Sequence, residues 1–427
     1  MRPQGAGGMG KSRNIAIIGA GIGGLAAATL LSRAGHRVAV YERFAASRPI
    51  GSGLMLQPTG LAALQRLGLR GQIEALGARI GALHGLNERG GLVFDLSYAD
   101  LDPALYAVGV HRAALHAALW EAFVRSGASI ETGWTIVDVM ATADGRARLS
   151  DDRARTTPGF DLVVDASGAR SSLRSLVTKA TQRQFAHGAV WASVPDLGIA
   201  PATLAQRYVK AKIMIGHLPI GRIDASSAPL AAFFWSLKPA DHPAWRAGFD
   251  DWRPQVARLW PALEPVMANL VQADDFTLAS YMHFTARRPF RGALALLGDA
   301  AHATSPQLGQ GANSALLDAL ALSDALDRSG DIAQALATYA RLRRRHVRFY
   351  QLASAALTPF FQSDSRLLAD VRDLAFHRLK IVPYLRREML RTLAGLKTGL
   401  MASATPESLA GTAAAADARI DASVAVG

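Results

Sequence analysis

Residues 14–42 constrain the fold of this chain more than any other segment. The apolar run NIAII (14–18) predicts a buried strand, the glycine-rich sequence GAGIGG (19–24) predicts a turn, and LAAATLLSR (25–33) predicts a helix that Gly35 ends. RVAVY (37–41), closed by Glu42, predicts a second strand. A strand, turn, helix and strand within about 30 residues form a βαβ unit with parallel strands. The sequence therefore predicts an α/β domain.

The glycines of that turn have the spacing of a dinucleotide-binding fingerprint. Gly19, Gly21 and Gly24 satisfy G-x-G-x-x-G, and Glu42 follows the last of them by 18 residues. Gly19 permits a tight turn, Gly21 lets a pyrophosphate approach the backbone, and Gly24 permits close helix–strand packing. The helix N-terminus offers N–H groups to phosphates, and Glu42 can accept hydrogen bonds from ribose hydroxyls. The motif alone does not separate FAD from NAD.

A second glycine-rich segment lies at 289–318. Its apolar run 293–297 predicts a strand that ends at Gly298–Asp299, followed by small residues, Pro306 and the sequence Gly309–Gly311 before a helix. Asp299 is therefore placed to accept hydrogen bonds from a ligand polyol, and the helix directs its positive end toward the same ligand. A third segment, DLVVDASGARSSLR (161–174), predicts a buried strand that ends at Asp165.

These three motifs resemble those of the flavoprotein monooxygenases of the para-hydroxybenzoate hydroxylase type, which include ubiquinone-pathway and salicylate hydroxylases. The similarity covers most of residues 14–345 and includes GSGLMLQPTGLAALQRLGL (51–69) and HRAALHAAL (111–119). The resemblance implies a Rossmann-type FAD-binding domain with an inserted, mostly antiparallel β-sheet substrate domain and C-terminal helices.

The resemblance also implies a set of site residues. Glu42 would bind the adenosine ribose, Arg43 and Arg112 would lie near the adenosine and pyrophosphate, and Asp299 would contact the ribitol. Pro306, Gly309 and Gln310 would form the catalytic turn beside the isoalloxazine. The cofactor-binding residues it implies are Gly19, Gly21, Gly24, Glu42, Arg43, Arg112, Asp165, Gly168, Asp299, Pro306, Gly311, Ala312 and Asn313.

One position departs from the family pattern. The family has an Asp-Gly pair that serves FAD and the nicotinamide cofactor, whereas this chain has Ser167–Gly168; Gly168, Ser172 and Arg174 match. The departure bears on how NAD(P)H is engaged. It keeps a flavin-dependent dehydrogenase or oxidase open as an alternative. A non-catalytic FAD-binding protein is a separate alternative.

The reaction that the resemblance implies uses FAD, with NADH or NADPH as reductant. The reduced flavin would combine with O₂ to give a C4a-hydroperoxide, which hydroxylates an aromatic, quinone-like or otherwise electron-rich small molecule. The flavin supplies the chemistry and the protein supplies position, polarity and dryness. The sequence contains no H-E-x-x-H or G-x-S-x-G motif, and no metal is expected.

The substrate wall is predicted to come from the inserted sheet, whose strands include residues 206–218 and 230–237. Since side chains alternate along a strand, about half of the candidates should face the pocket. His217 or His283 could deprotonate a phenol, although a lone histidine on a strand is more often structural. His302 lies next to the flavin-contacting turn without an assigned role. The candidates for the substrate wall are Tyr208, Met214, Phe233, Trp235 and Tyr281.

The predicted organisation is discontinuous. The FAD-binding domain comprises 14–80, 101–185 and 286–345, and the substrate-binding sheet comprises 81–100 and 186–285. A disordered N-terminus (1–12), a C-terminal helical region (346–402) and a flexible tail (403–427) complete the chain.

Composition limits the remaining possibilities. The chain has no cysteine, which excludes disulfides and thiolate metal sites and is compatible with a cytoplasmic location. Its net charge is +13, but no nucleic-acid-binding motif accompanies it. The basic stretch 341–350 is interpreted as a helical cap with a solvated arginine face, in preference to a helix on a membrane surface.

Overall fold

The computed structural model describes residues 12–45, 53–379 and 382–411. The strands are β1 (Asn14–Ile18), β2 (Arg37–Glu42), β3 (Gly53–Leu56), β4 (Ala78–Ile80), β5 (Ala82–Asn87), β6 (Leu92–Ser97), β7 (Ala107–His111), β8 (Ser129–Thr132), β9 (Ile136–Ala141), β10 (Ala147–Asp151), β11 (Leu162–Asp165), β12 (Arg183–Gln184), β13 (Gly188–Pro195), β14 (Thr203–Val209), β15 (Ile213–Gly221), β16 (Leu230–Leu237), β17 (Thr277–Ala279), β18 (Met282–His283), β19 (Phe290–Arg291) and β20 (Leu294–Leu296). The α-helices are α1 (Ile22–Arg33), α2 (Pro58–Leu67), α3 (Arg70–Leu76), α4 (Arg112–Arg125), α5 (Arg174–Val177), α6 (His242–Ala247), α7 (Phe249–Leu259), α8 (Glu264–Met267), α9 (Asp299–His302), α10 (Gly311–Asp327), α11 (Ile332–Phe361), α12 (Arg366–Leu379), α13 (Pro383–Leu393) and α14 (Pro406–Leu409).

A six-stranded sheet carries the first motif. Its order is β19-β20-β11-β1-β2-β8, and its strands are parallel except for β19 at one edge. One face packs against α1, α2, α4 and α10 around a large apolar core, and the hairpin of β9 and β10 covers the other. The predicted βαβ unit is present: β1 and β2 pair in parallel, and α1 ends at Arg33 with Gly35 in the left-handed region just beyond it.

A seven-stranded sheet forms the second layer, in the order β17-β13-β16-β15-β14-β5-β6. It is antiparallel except where β14 and β5 pair in parallel. The prediction of one strand over 206–218 is wrong, because the chain turns at Lys210, which has φ 52°, and returns as β15. An aromatic cluster that includes Trp245, Trp252 and Phe276 packs against one face of this sheet. The predicted fold class is confirmed.

The C-terminal segment differs from its predicted organisation. Helix α11 runs without interruption across the boundary placed between 345 and 346. Residues 403–411, predicted as part of a flexible tail, are folded: α14 has Thr405 and Ser408 as a capping box, and the Arg66 Nη1 donates to the Ala410 carbonyl at 2.7 Å. The rest of that tail (412–427) and residues 1–11 lie outside the described residues. No helix in the described ranges is long and apolar enough to cross a bilayer.

Candidate active site

A cavity of about 1820 Å³ lies between the two sheets and the C-terminal helices. Its lining begins at the turn after β1, continues past the ends of β11 and β20, and reaches the seven-stranded sheet and helices α11 and α13. A drug-sized ligand needs roughly 300–1,000 Å³. The cavity therefore has room for an extended cofactor and a second molecule together.

The three glycines of the first motif have three different surroundings. Gly19 has φ +100°, and a Cβ there would lie 2.8 Å from the Ala166 carbonyl oxygen; a Cβ on Gly24 would lie 1.9 Å from the Gly19 carbonyl oxygen. At Gly21 a Cβ would meet no heavy atom within 4 Å, and Gly21 lines the cavity. Two glycines thus permit tight packing, while the third leaves space for a pyrophosphate beside the N-terminus of α1.

Glu42 stabilises this turn and lines the same end of the cavity. Its carboxylate accepts hydrogen bonds from the backbone N–H of Ala20 at 2.7 Å and of Phe44 at 3.1 Å. Each carboxylate oxygen has two lone pairs, so capacity remains for the hydroxyls of a ribose. Arg43 and Arg112 also line the cavity here. The donors and acceptors at this end match the adenosine half of a dinucleotide.

Arg174 joins the second and third motifs. Its guanidinium donates to the carbonyl of Ala169 at 2.8 Å, to that of Ala300 at 2.8 Å, and to those of Gly168 and Asp299. The side chain is buried and stacks over the Phe284 ring at 4.4 Å. Burial lowers the pKa of Arg174, and the carboxylates of Asp165 and Asp299 oppose that effect. The arginine therefore fixes the turn after β11 against the turn after β20.

Asp165 and Asp299 have different positions although both end parallel strands. Asp299 lines the cavity, as do Ser167 and Gly168. Asp165 is fully buried behind them and is not part of the lining; its carboxylate accepts from the hydroxyls of Ser167 at 2.6 Å and Ser171 at 2.5 Å. Burial raises the pKa of Asp165, although the hydrogen bonds that its carboxylate accepts oppose that effect. Asp165 is thus an anchor of the turn that presents Ser167.

The turn at 306–313 separates into a lining part and an anchoring part. Pro306, Gly309, Gly311 and Ala312 line the cavity. Helix α10 begins at Gly311 without a side-chain cap, so its first N–H groups are directed into the cavity and favour negative charge there. Such charge develops on the pyrimidine ring of a reduced flavin.

Gln310 and Asn313 are buried and do not line the cavity. The Gln310 Nε2 donates to the Leu393 carbonyl at 3.0 Å. The Asn313 side chain accepts from the Gln57 N–H at 2.9 Å and donates to the Gly309 carbonyl at 2.7 Å. These positions do not suit the predicted direct contacts of the two side chains with a ligand. Both side chains hold the turn in place instead.

At the other end of the cavity the lining is made of side chains. Three of the predicted substrate-wall residues, Tyr208, Met214 and Tyr281, line it. Phe233 and Trp235 do not, and the prediction that these two form the substrate wall is wrong. They lie on the opposite face of β16, in the aromatic cluster with α7. Side chains alternate along a strand, so the residue between them, Phe234, faces the cavity instead.

Neither predicted basic histidine reaches the cavity. His217 is fully buried on the far face of β15, and His283 lies on the separate strand β18; no hydrogen-bond partner within the described residues reaches either ring nitrogen of His217. Burial lowers the pKa of both histidines. The prediction that they deprotonate a substrate is not compatible with these positions.

His302 belongs to a buried ion network beneath the second motif. Its Nε2 lies 2.6 Å from the Asp318 carboxylate, which also accepts from the Gly298 N–H at 2.9 Å and the Arg343 Nε at 2.6 Å. Burial opposes a charged imidazole, but the Asp318 carboxylate outweighs it and the pKa of His302 is raised. The network secures the turn at Gly298 to α10 and α11.

Several lining residues carried no local sequence signal. Trp191, Gln206, Leu218 and Phe234 line the cavity from the seven-stranded sheet, and the predicted set contained none of them. The C-terminal segment also contributes, from α11, from α13 and from residues 397–402. Side-chain alternation along β15 could have placed Leu218 on the same face as Met214, since the two are four residues apart. It could also have placed His217 on the opposite face, since His217 is three residues from Met214.

Comparison with known proteins bears on the whole arrangement. The profile of a family described as "FAD binding domain" matches residues 12–350. The chain belongs to this family. The FAD-dependent urate hydroxylase of Klebsiella pneumoniae is 30% identical over 349 residues, covering 78% of this chain and 86% of that protein. The 3-amino-4-hydroxybenzoate 2-monooxygenase of Streptomyces cremeus is also 30% identical, over 346 residues, covering 77% of this chain and 82% of that one.

A solved structure shares the fold of this FAD-binding family member. Klebsiella pneumoniae HpxO complexed with FAD and uric acid superposes with a TM-score of 0.76 at 24% identity, covering 90% of this chain and 97% of that chain. Together with the family match, the similarity to FAD-dependent hydroxylases identifies the chain as an FAD-dependent monooxygenase of the hydroxylase type.

Proposed function

We propose that this monooxygenase hydroxylates a neutral, electron-rich aromatic molecule, with O₂ as oxygen donor and NAD(P)H as reductant. The observation that carries the proposal is one cavity that has a dinucleotide-type turn at one end and an aromatic side-chain wall at the other. When bound, FAD supplies the redox and oxygen-transfer chemistry. The protein's task is to hold the cofactor, orient the substrate and exclude water.

Residues at the cofactor end have either a direct or an indirect role in holding the cofactor. We assign direct contacts to Gly19, Gly21, Glu42, Arg43, Arg112, Gly168, Asp299, Pro306, Gly309, Gly311 and Ala312, which all line the cavity. Gly24, Asp165, Gln310 and Asn313 lie behind this lining, and we assign them to positioning. The N-terminus of α10 would stabilise the negative charge of the reduced cofactor.

The wall of the seven-stranded sheet indicates what kind of substrate it admits. None of the described side chains by which this sheet lines the cavity is charged; Phe94, Trp191, Met214, Leu218 and Phe234 make it largely apolar. Burying a charged group without a partner is costly. A neutral ring therefore suits this wall better than a carboxylated one, and its apolar surroundings keep water from the reacting atoms.

Tyr281 is the polar group best placed to orient such a ring. Its hydroxyl oxygen accepts a hydrogen bond from the Trp191 Nε1 at 3.1 Å, which leaves its own hydrogen for another acceptor. Burial raises the pKa of Tyr281 to about 12, so the hydroxyl stays protonated at neutral pH. It would donate to a hydroxyl or carbonyl oxygen of the substrate.

Stoichiometry tests the activity. The purified FAD-loaded protein should consume one O₂ and one NAD(P)H per hydroxyl inserted into a productive phenol, quinolone or quinol. Flavin reduction under anaerobic conditions should accelerate when that substrate is present. Peroxide formation equal to O₂ consumption with every aromatic compound offered, and no hydroxylated product, would support an oxidase and contradict the proposal.

A substitution tests the substrate wall. Tyr281→Phe should raise KM about 5- to 10-fold for a neutral phenol, because it removes one hydrogen bond worth roughly 1 kcal/mol, and should leave FAD content unchanged. Benzoates should remain poor substrates of both proteins. A preference of the wild-type protein for carboxylated rings would contradict the neutral-substrate assignment while leaving hydroxylation itself intact.

A further inference from the structure

Exposed apolar side chains are concentrated in one stretch of the chain. Of the fifteen exposed large hydrophobic side chains in the described residues, eight lie between 352 and 401. Leu400 and Met401 are 85% and 83% exposed, and Leu367 is 72% exposed. A soluble protein rarely clusters such residues without a partner for them. We name this set the C-terminal face: Leu352, Leu367, Val371, Leu374, Val382, Tyr384, Leu400 and Met401.

Two structural elements present these side chains. On α12, Leu367, Val371 and Leu374 are spaced by four and three residues and share one side of the helix. The opposite side contains the buried Ala369 and Arg372, and α12 packs on β6 and α11. The stripe is therefore the outer face of a docked helix.

The second element is the loop 397–403, which is held by specific contacts. The buried Lys397 ammonium donates to the Glu388 carboxylate and to the Leu400 carbonyl, the latter at 2.7 Å. Thr398 N–H and Gly399 N–H both donate to the Ala402 carbonyl, and Lys397 bridges to Ser403. The buried Lys397 therefore holds in place a loop whose tip exposes Leu400 and Met401.

This face adjoins the entrance of the cavity. Leu352, Tyr384, Leu400 and Met401 are exposed and also line the cavity, and the Tyr384 hydroxyl lies 3.4 Å from the Met401 sulfur. Whatever covers these four side chains would also stand at the cavity mouth. An apolar partner there could deliver an apolar substrate without passage through water.

The charge of the same segment selects among possible partners. Residues 341–401 contain thirteen Arg and Lys but four Asp and Glu, a net +9 of the chain's +13. Arg345 and Arg348 are exposed at the cavity lining beside Leu352. Within the described residues, Arg344, Arg345, Arg348, Arg366 and Arg387 are exposed and form no ion pair. Their charge is available to an anionic partner.

We infer that the C-terminal face docks on an anionic lipid bilayer, with the cavity mouth turned toward the lipid. Exposed Leu, Met and Tyr side chains beside arginines are the combination by which proteins bind the interface of anionic membranes. A second copy of the chain would bring two strongly basic surfaces together across a symmetric interface, which is unfavourable. A nucleic acid would meet the charge but leave the apolar side chains uncovered.

Vesicle binding tests this inference. The FAD-loaded protein should co-sediment with vesicles of phosphatidylcholine and phosphatidylglycerol in equal parts, and at least about tenfold more weakly with phosphatidylcholine alone. Raising NaCl from 0.1 to 0.5 M should weaken the anionic-vesicle binding because salt screens the arginines. Equal binding to both vesicles, or none to either, overturns the inference.

Paired variants connect the binding to the face. Leu400→Ser with Met401→Ser should weaken vesicle binding about tenfold or more, and Arg345→Glu with Arg348→Glu at least about 25-fold, since each basic residue near an anionic surface contributes about fivefold. Leu367→Ser with Leu374→Ser tests the α12 stripe in the same assay. The matched controls, Val271→Ser (64% exposed) and Arg258→Glu, lie outside the segment and should bind as the wild type does.

The other partners give distinct results. Light scattering that shows a dimer in the wild type and a monomer in the Leu400→Ser, Met401→Ser variant would assign the face to self-association and overturn the lipid inference. Binding of duplex DNA that is lost in the same variants would also overturn it. The inference goes beyond the proposed function, and because these assays measure binding rather than turnover, either one can fail while the other stands.

Discussion

The two ends of the cavity are built from different parts of the polypeptide. At the cofactor end much of the surface is backbone: Gly19, Gly21, Gly309 and Gly311 bring the main chain to the cavity. At the substrate end the surface is side chain, from β14, β15 and β16. A backbone surface changes only if the chain path changes, whereas a side-chain surface changes with one substitution. This difference explains how one fold keeps one cofactor while its substrate end varies.

The largest expected effect is at the cofactor end. Gly24→Ala places a Cβ 1.9 Å from the Gly19 carbonyl oxygen, and neither backbone can move without separating α1 from β1. We expect a loss of more than about 4 kcal/mol of unfolding free energy, in the range of the most damaging substitutions. Chemical denaturation measures it.

Gly71→Ala is the matched control, since a Cβ there meets nothing within 4 Å on α3. It should stabilise the protein by about 0.5–1 kcal/mol, the helix-propensity difference between Gly and Ala. Equal stability of the two variants would show that the backbone at the cofactor end is more adaptable than this comparison assumes.

The next effect separates the two faces of the substrate sheet. Phe233→Ala should cost about 3–5 kcal/mol of stability, because Phe233 is fully buried between the Trp252 and Phe276 rings, and should change substrate affinity little. Phe234→Ala should do the reverse, with a smaller stability loss and at least about a tenfold rise in KM. Chemical denaturation and KM should be measured for both variants. Equal stability losses together with equal changes in KM would contradict the assignment of Phe233 and Phe234 to opposite faces of β16.

Gly21→Val isolates cofactor binding from folding. Its side chain would enter the space left at the N-terminus of α1, so we expect the FAD Kd to rise at least 100-fold, about 2.7 kcal/mol. The melting temperature of the cofactor-free protein should shift by only a few degrees. Gly21→Ala should fall between wild type and Val, and a Val variant that retains FAD would refute the position of the pyrophosphate.

The smallest effect concerns the far face of the same sheet. Burial lowers the pKa of His217 below 6.5, so the folded protein keeps it neutral while the unfolded chain protonates it below pH 6.5. Stability therefore falls as pH falls below 6.5. His217→Leu should make this acid-side loss shallower by up to about 1.4 kcal/mol per pH unit, with turnover unchanged. Weaker substrate binding by the His217→Leu variant would instead show that His217 belongs to the substrate site.

The glycine turns of the cofactor end could be predicted from the sequence for a physical reason. Close backbone approach and positive φ require glycine, so the residue type reveals the geometry at Gly19 and Gly309. The strand that carries each motif is recognised by its apolar, β-branched run, and parallel pairing follows from the crossover. These are local requirements, and a local window of sequence contains them.

The substrate end could not be predicted in the same way. Which face of β16 meets the cavity depends on the aromatic cluster of α7, which packs against Phe233 and Trp235 from more than ten residues away. The anchoring roles of Gln310 and Asn313 likewise depend on distant partners, Leu393 and Gln57. Residue type indicated that these side chains belonged near the site, but not whether they face it.

The guanidinium of Arg174 reaches across 126 residues to the Ala300 carbonyl. During synthesis, a nascent chain that has emerged only to Arg174 already contains the glycine turn of β1 and α1, yet lacks Asp299 and the turn at 306–312, which also line the cavity. Flavin capture must therefore wait until residues near Ala312 have left the ribosome.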